Sequence, residues 1–190
     1  MNPIDIINEF YAPGSDAGEL LIRHSEAVAA KALRLAETLS AVHPELKPDI
    51  SFIEEAALLH DIGIFYTNVP SIGCHGTYSY VCHGYLGRML MEDMGHHRHA
   101  LVCERHVGAG VSADEISAYH LPLPARNMVP VTIEEQIVCY ADKFFSKNRT
   151  PDTEALKLEE VVRKIESYGP AQAQRFKNWV ALFEPERVVW

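Results

Sequence analysis

An all-α fold is predicted by three observations. Apolar residues recur at helical spacing along most of the 190-residue chain, no run alternates strictly enough to make a sheet, and the breaks between periodic stretches are short and rich in Pro, Gly, Ser and Asn. A chain of 190 residues with 47% hydrophobic content fits a single domain, residues 1–190, with a substantial core, since roughly 100–200 residues per domain is usual.

The elements follow in order. A long helix is expected from about Asp16 to Ser40, where Leu21, His24, Val28, Ala32, Leu35 and Leu39 share one face. His24 therefore points inward. Ser51 followed by Glu54 reads as a capping box. In the helix it would start, Ile53, Ala57, His60 and Ile64 recur at helical spacing, which puts His60 in the apolar stripe and Asp61 on its flank. Residues 69–78 carry Pro70, Gly73 and Gly76 and read as a loop, after which Ser79 can cap a helix through Met94. There His83 heads a stripe of Leu86, Leu90 and Met94. A helix over about His97 to Val107 sets Val102 and His106 on one side, with His96, His97 and His99 expected to be exposed at its start. Residues 108–130 form a long connection with about one helical turn, and connections of such length are often functional. Thr132 and Glu135 form a second capping box, and Val138, Asp142 and Phe145 line the inner flank of the helix that follows. Two amphipathic helices close the chain, about Thr153 to Glu166 and Ala171 to Phe183, with Gly169-Pro170 between them.

Composition narrows the function classes. The formal charge of -9 argues against a nucleic-acid polymer as partner, because that binding needs clustered Lys and Arg. No apolar run is long enough to cross a membrane, and residues 1–16 show no basic region followed by an apolar one, so no secretory signal is expected. Cys74, Cys82, Cys103 and Cys139 sit in apolar or helical contexts, which suits free thiols in a reducing cytoplasm.

Burying the His60-Asp61 pair without partners would cost about 2–7 kcal/mol even for a neutral polar group, and more for a charge. Partners exist. His24, His60, Asp61, His83, His106 and Asp142 each lie on the inward side of their helix and come from five helices. One inward histidine is an ordinary core residue, but four with two inward aspartates form a ligand set. Imidazole and carboxylate without thiolate suit a divalent transition metal, iron or manganese ahead of zinc, cobalt or nickel, and helical proteins build such sites between facing helices. Six protein ligands exceed what one catalytic ion usually takes, which favours two ions with Asp61 bridging them.

The order His24, then His60-Asp61, then Asp142 in Ala141-Asp142-Lys143 resembles the HD superfamily of metal-dependent phosphohydrolases, and His60-Asp61-Ile62-Gly63 matches the HDIG motif after which one subgroup is named. The resemblance covers about residues 20–148. It implies a helical HD-domain bundle in which His24, His60, Asp61 and Asp142 hold one metal. Inserted histidines matching His83 and His106 provide a second site, as in HD-GYP phosphodiesterases and bacterial symmetrical diadenosine tetraphosphate hydrolases. The chain departs from many two-metal relatives in having Ile64 where they have lysine, and no GYP-type signature follows, so phosphate contacts fall to other residues.

The chemistry also follows from the residues. Two divalent ions outweigh the two negative charges of Asp61 and Asp142, so the pocket is locally cationic in an acidic protein. Such ions ionise a water to give the nucleophile, orient a phosphoryl group and stabilise the leaving oxygen. The expected activity is hydrolysis of a small phosphate ester, plausibly a nucleotide, with Asp61 as the catalytic bridge. Lys143, Arg105 and Arg23 each adjoin an expected ligand and are candidates for substrate binding, and Tyr119 and His120 are placed to reach the pocket mouth. Two alternatives stay open: a di-iron oxygenase of the HD type, and a regulatory domain that binds a nucleotide. The second is the weaker, since all six ligands are kept.

Overall fold

The computed structural model describes residues 1–147 and 154–188. The fold is all-α. A first helix that the hydrophobic pattern did not announce, α1 (Pro3–Phe10), has Asn2 as cap, its side chain accepting from the Ile4 amide, and Pro3 at the first helical position. The long helix α2 (Asp16–Val42) is capped by Ser15. α3 (Ile50–Leu59) is capped by Asp49, whose carboxylate accepts from the Phe52 amide at 3.1 Å. The expected box of Ser51 and Glu54 does not form, because an aspartate two residues earlier is at least as good a cap and is also favoured by the helix dipole.

Between α3 and the next helix the chain tightens into a 3-10 turn (Ile62–Tyr66) and a small antiparallel pair, β1 (Asn68–Val69) with β2 (Cys74–His75), inside the expected loop. Ser79 makes no capping bond with its side chain. A second 3-10 turn (Tyr80–Cys82) intervenes, and α4 (His83–Asp93) begins at His83 itself. α5 (His97–Arg105) ends one residue before His106, which takes the cap position. His99, expected to be exposed, is buried and within 3.2 Å of Glu55. The long connection holds α6 (Ala113–Ala118), closed by a reciprocal box between Ser112 and Glu115.

α7 (Ile133–Asp142) keeps half of its expected box. Thr132 accepts from the Glu135 amide, but the Glu135 carboxylate goes to Arg105 and to the Val131 amide instead. α8 (Leu158–Glu166) starts later than the expected Thr153, which lies outside the described residues, and α9 (Pro170–Phe183) follows Gly169 as anticipated. Cys74, Cys82, Cys103 and Cys139 are buried free thiols. No helix among the described residues is long and apolar enough to cross a membrane.

Two apolar clusters share the interior. One joins α2, α3 and α7 to α8 and α9 through Val28, Ile53, Val138, Val161 and Phe176. The other joins α1, the 3-10 turn, α4 and α5 through Ile7, Ile62, Met91 and Cys103. On α2, Leu21 belongs to the second cluster and Val28 to the first, so His24 sits at the seam between them. Gly63 lets the seam close. A Cβ there would meet the His83 carbonyl at 2.1 Å and the Gly87 amide at 2.3 Å, so the turn carrying the motif lies directly on α4.

Candidate metal centre

Helix ends position most of the ligand set. His60 follows the last residue of α3, His106 follows that of α5, Asp142 ends α7 and His83 opens α4, while His24 comes from the middle of α2. Three helix C-termini thus converge, and each brings partial negative charge from unpaired carbonyls. That field favours a cation.

The six side chains fall into two donor groups, His24, His60, Asp61 and Asp142 in one and Asp61, His83 and His106 in the other, with the donor atoms of each group within 4.8 Å of one another. Asp61 divides its oxygens between them. Its Oδ2 lies 3.0 Å from His60 Nε2 and 3.3 Å from His24 Nε2, whereas its Oδ1 lies 3.3 Å from His83 Nε2 and 3.4 Å from His106 Nε2. Asp142 Oδ1 completes the first group at 3.1 Å from His24 and 3.4 Å from His60.

Proton positions decide what these contacts mean. Nδ1 of His60, His83 and His106 lies 2.7, 2.6 and 2.7 Å from the carbonyls of Ala57, Tyr80 and Cys103. A carbonyl only accepts, so each Nδ1 donates and each neutral ring turns a bare Nε2 lone pair inward. The two lone pairs of His83 and His106 then face each other at 3.0 Å. Asp61, 1% exposed, meets the Lys147 ammonium at Oδ2, but its Oδ1, facing the bare nitrogens of His83 and His106, has no donor. Converging acceptors without donors repel, and a buried carboxylate left so is costly. A divalent cation in each group would resolve both conflicts, and the carbonyl-anchored rings are how proteins orient imidazole ligands.

The surroundings of the two halves shift their histidines in opposite directions. Burial works against charge on His60, but Asp61 and then Asp142 outweigh it and push the imidazole up to about 9. Burial also penalises the charge of Asp61, yet His60 and Lys147 hold it well below the usual carboxylate range. His83 goes the other way, pushed down to about 3 chiefly by burial.

A cavity of about 660 Å³ opens onto the centre, with His83, His106 and Asp142 in its wall. Of the expected substrate residues, Lys143 lines it, its Nζ 2.6 Å from Asp142 Oδ2 and donating to the His106 carbonyl at 2.9 Å. Arg105 is not brought to the cavity: its guanidinium clamps Glu135 at 2.9 Å. Arg23 is exposed beside Glu19 at 3.7 Å, and His120 is exposed outside the lining while its neighbour Tyr119 reaches it. These arginines fail for one reason: adjacent helical residues diverge by about 100°.

Lys147 was missed. Its Nζ pairs with Asp61 Oδ2 and lies 3.0 Å from His24 Nε2, and its side chain lines the cavity. It comes from the segment after α7, where no periodicity reports orientation. The hint was Ile64, buried at 2% in the apolar cluster and unable to supply the cation that a lysine would. Lys147 and Ile64 line the same small crevice.

The family model of the HD domain matches residues 21–146. The chain belongs to this family. The HD domain places it in a superfamily of metal-dependent phosphohydrolases, and its buried His/Asp groups could hold the metal ions expected there. Among similar proteins, an uncharacterized protein of Methanocaldococcus jannaschii is 32% identical over 149 residues, 78% of this chain and 76% of the relative. Two others carry the name tRNA (cytidine(56)-2'-O)-methyltransferase. The one from Thermoplasma volcanium is 35% identical and the one from Picrophilus torridus 32% identical, each over 153 residues, 80% of this chain. The match spans 38% of each of those two proteins. No solved structure matches the chain.

Proposed function

We propose that this HD protein hydrolyses a small phosphate ester of the nucleotide kind at a centre of two divalent cations. The observation that carries the reading is the division of Asp61, one oxygen toward each donor group, behind a lysine-lined cavity whose wall includes His83, His106 and Asp142. His24, His60, Asp61 and Asp142 would hold one cation and Asp61, His83 and His106 the other. When bound, such ions acidify water and polarise the phosphoryl group.

The chain's own residues do the rest. Asp61 fixes the spacing of the two groups, and the Ala57, Tyr80 and Cys103 carbonyls keep the rings aimed. Lys147 and Lys143 supply fixed positive charge for the phosphoryl oxygens. Burial opposes both ammonium groups, but Asp61 and Asp142 respectively raise their pKa, so both keep their protons and act as cations rather than as acids. The apolar wall of Val69, Val81, Val107 and Phe145 limits water around the reacting group.

Methyl transfer, in the name of two relatives, is not assigned to this chain, because the match spans 38% of each of them. The test is a panel of phosphate esters offered anaerobically to chelator-treated protein, before and after manganese is restored. Release of phosphate only after restoration is expected. Full turnover without metal, or turnover that requires both iron and oxygen, would overturn the proposal, the latter in favour of an HD-type oxygenase.

A further inference from the structure

The cavity is larger than one phosphate requires, extending from Asp142 and Lys143 to Lys164 on α8 and to Tyr168 and Gly169 in the turn that follows it. Three lysines line it, and two are engaged. Lys143 pairs with Asp142, and Lys147 pairs with Asp61. Lys164 differs: among the described residues no carboxylate lies within ion-pairing distance of its ammonium. Glu166, two residues on and also in the lining, is taken by Lys177 at 2.7 Å. The Ser167 hydroxyl beside it donates to the Lys164 carbonyl at 2.7 Å.

We propose that Lys164 is the anchor of a second anion-binding subsite, so that the substrate is a small molecule carrying a second phosphate or a carboxylate besides the phosphate at the metal centre. This rests on the phosphohydrolase reading. Electrostatics supports it. Lys164 is exposed, yet partial desolvation, then the charge of Lys143, lower its pKa, with Asp142 offsetting in part and Lys147 adding to the fall. The ammonium is thus held in a positive field with no counter-charge of its own, and an anion arriving there is attracted by several cations at once. Two exposed aromatic side chains, Tyr119 and Tyr168, also line the cavity and offer apolar contact to a bound molecule.

The test uses the manganese-loaded protein and three probes of matched size: glucose phosphorylated at its terminal carbon, the same sugar phosphorylated at both ends, and phosphogluconate, in which a carboxylate replaces the second phosphate. Dissociation constants are measured by calorimetry on ice for the wild type, Lys164→Met and Lys164→Arg. A charge-assisted contact should make the wild type bind the bisphosphate or phosphogluconate about tenfold tighter than the monophosphate, and the tighter of the two identifies the second anion. Lys164→Met should bring the ratio near one without changing the monophosphate constant, and Lys164→Arg should retain the preference. A wild-type ratio near one, or a ratio unchanged in Lys164→Met, overturns the subsite while leaving the phosphohydrolase reading intact. Failure of all three probes to bind likewise overturns the subsite, and the phosphohydrolase reading is judged separately by phosphate release from the ester panel.

Discussion

His60 and His83 stand on opposite sides of Asp61, both buried and both with Nδ1 on a backbone carbonyl, yet one is pushed up to about 9 and the other down to about 3. Burial penalises both. The difference is that His60 faces Asp142 as well as Asp61, whereas His83 shares Asp61 with the uncharged ring of His106. The first half of the centre therefore holds two carboxylates, each also paired with a lysine, and their field favours the protonated form of His60. The second half is neutral and leaves two lone pairs bare. A cation entering the first half gains two carboxylates but must displace a proton; one entering the second depends on the shared oxygen of Asp61.

Ligand removal should expose this asymmetry most strongly. His24→Ala or Asp142→Ala is expected to empty the first half and lower phosphatase activity by about a thousandfold or more, since even residues behind the ligands cost roughly ten- to hundredfold. His83→Ala or His106→Ala should spare the first ion and lose only the second, which per-chain metal content will show, with circular dichroism confirming that each variant stays helical. Equal loss of both ions in all four variants would erase the distinction between the halves.

The pH response sharpens the comparison, because only the first half exchanges a proton. Below about pH 9 a metal must displace the His60 proton, so the affinity of the first site should rise with pH by up to about tenfold per unit and level off above that value. Stability of the metal-free protein runs the opposite way. The His60 pKa is raised from its ordinary 6.5, so its contribution is fully present below pH 6.5 and is lost as pH rises through about 9. His83, depressed to about 3, contributes above pH 6.5 and its share is lost as pH falls toward 3. Thermal melts of chelated protein between pH 6.5 and 9 should fall with pH, and a flat profile would mean that His60 carries no proton there.

A smaller effect isolates the second half by its backbone. Gly63→Ala places a Cβ 2.1 Å from the His83 carbonyl, so α4 must shift. A loss of about 1–3 kcal/mol in stability is expected from such overpacking, with weakened binding of the second ion and the first retained, read by denaturant unfolding and metal titration.

The cluster of candidate ligands was legible because a helix writes its inward face into the sequence: His24 falls between Leu21 and Val28, and His60 three residues after Ala57. The family resemblance joined these positions into one centre. What periodicity could not deliver was the cationic wall. Lys147 lies beyond the last turn of α7, where side-chain direction is set by the tertiary path, and Lys164 reaches the cavity from α8, far along the chain. Arg23 and Arg105 showed the converse error, since adjacency in sequence to His24 and His106 points them elsewhere on the helix. α1 was overlooked although Asn2 and Pro3 announce it, because eight residues give too few turns for a hydrophobic stripe to stand out.

The bridging role of Asp61 is tested most directly by counting metal in purified protein, reconstituted with manganese and freed of excess, for the wild type and Asp61→Ala side by side. The geometry predicts two ions per chain in the wild type and neither retained in Asp61→Ala, because both donor groups lose their only shared anion, while circular dichroism shows the helices intact. A single ion in the wild type, or two ions surviving in folded Asp61→Ala, would contradict it.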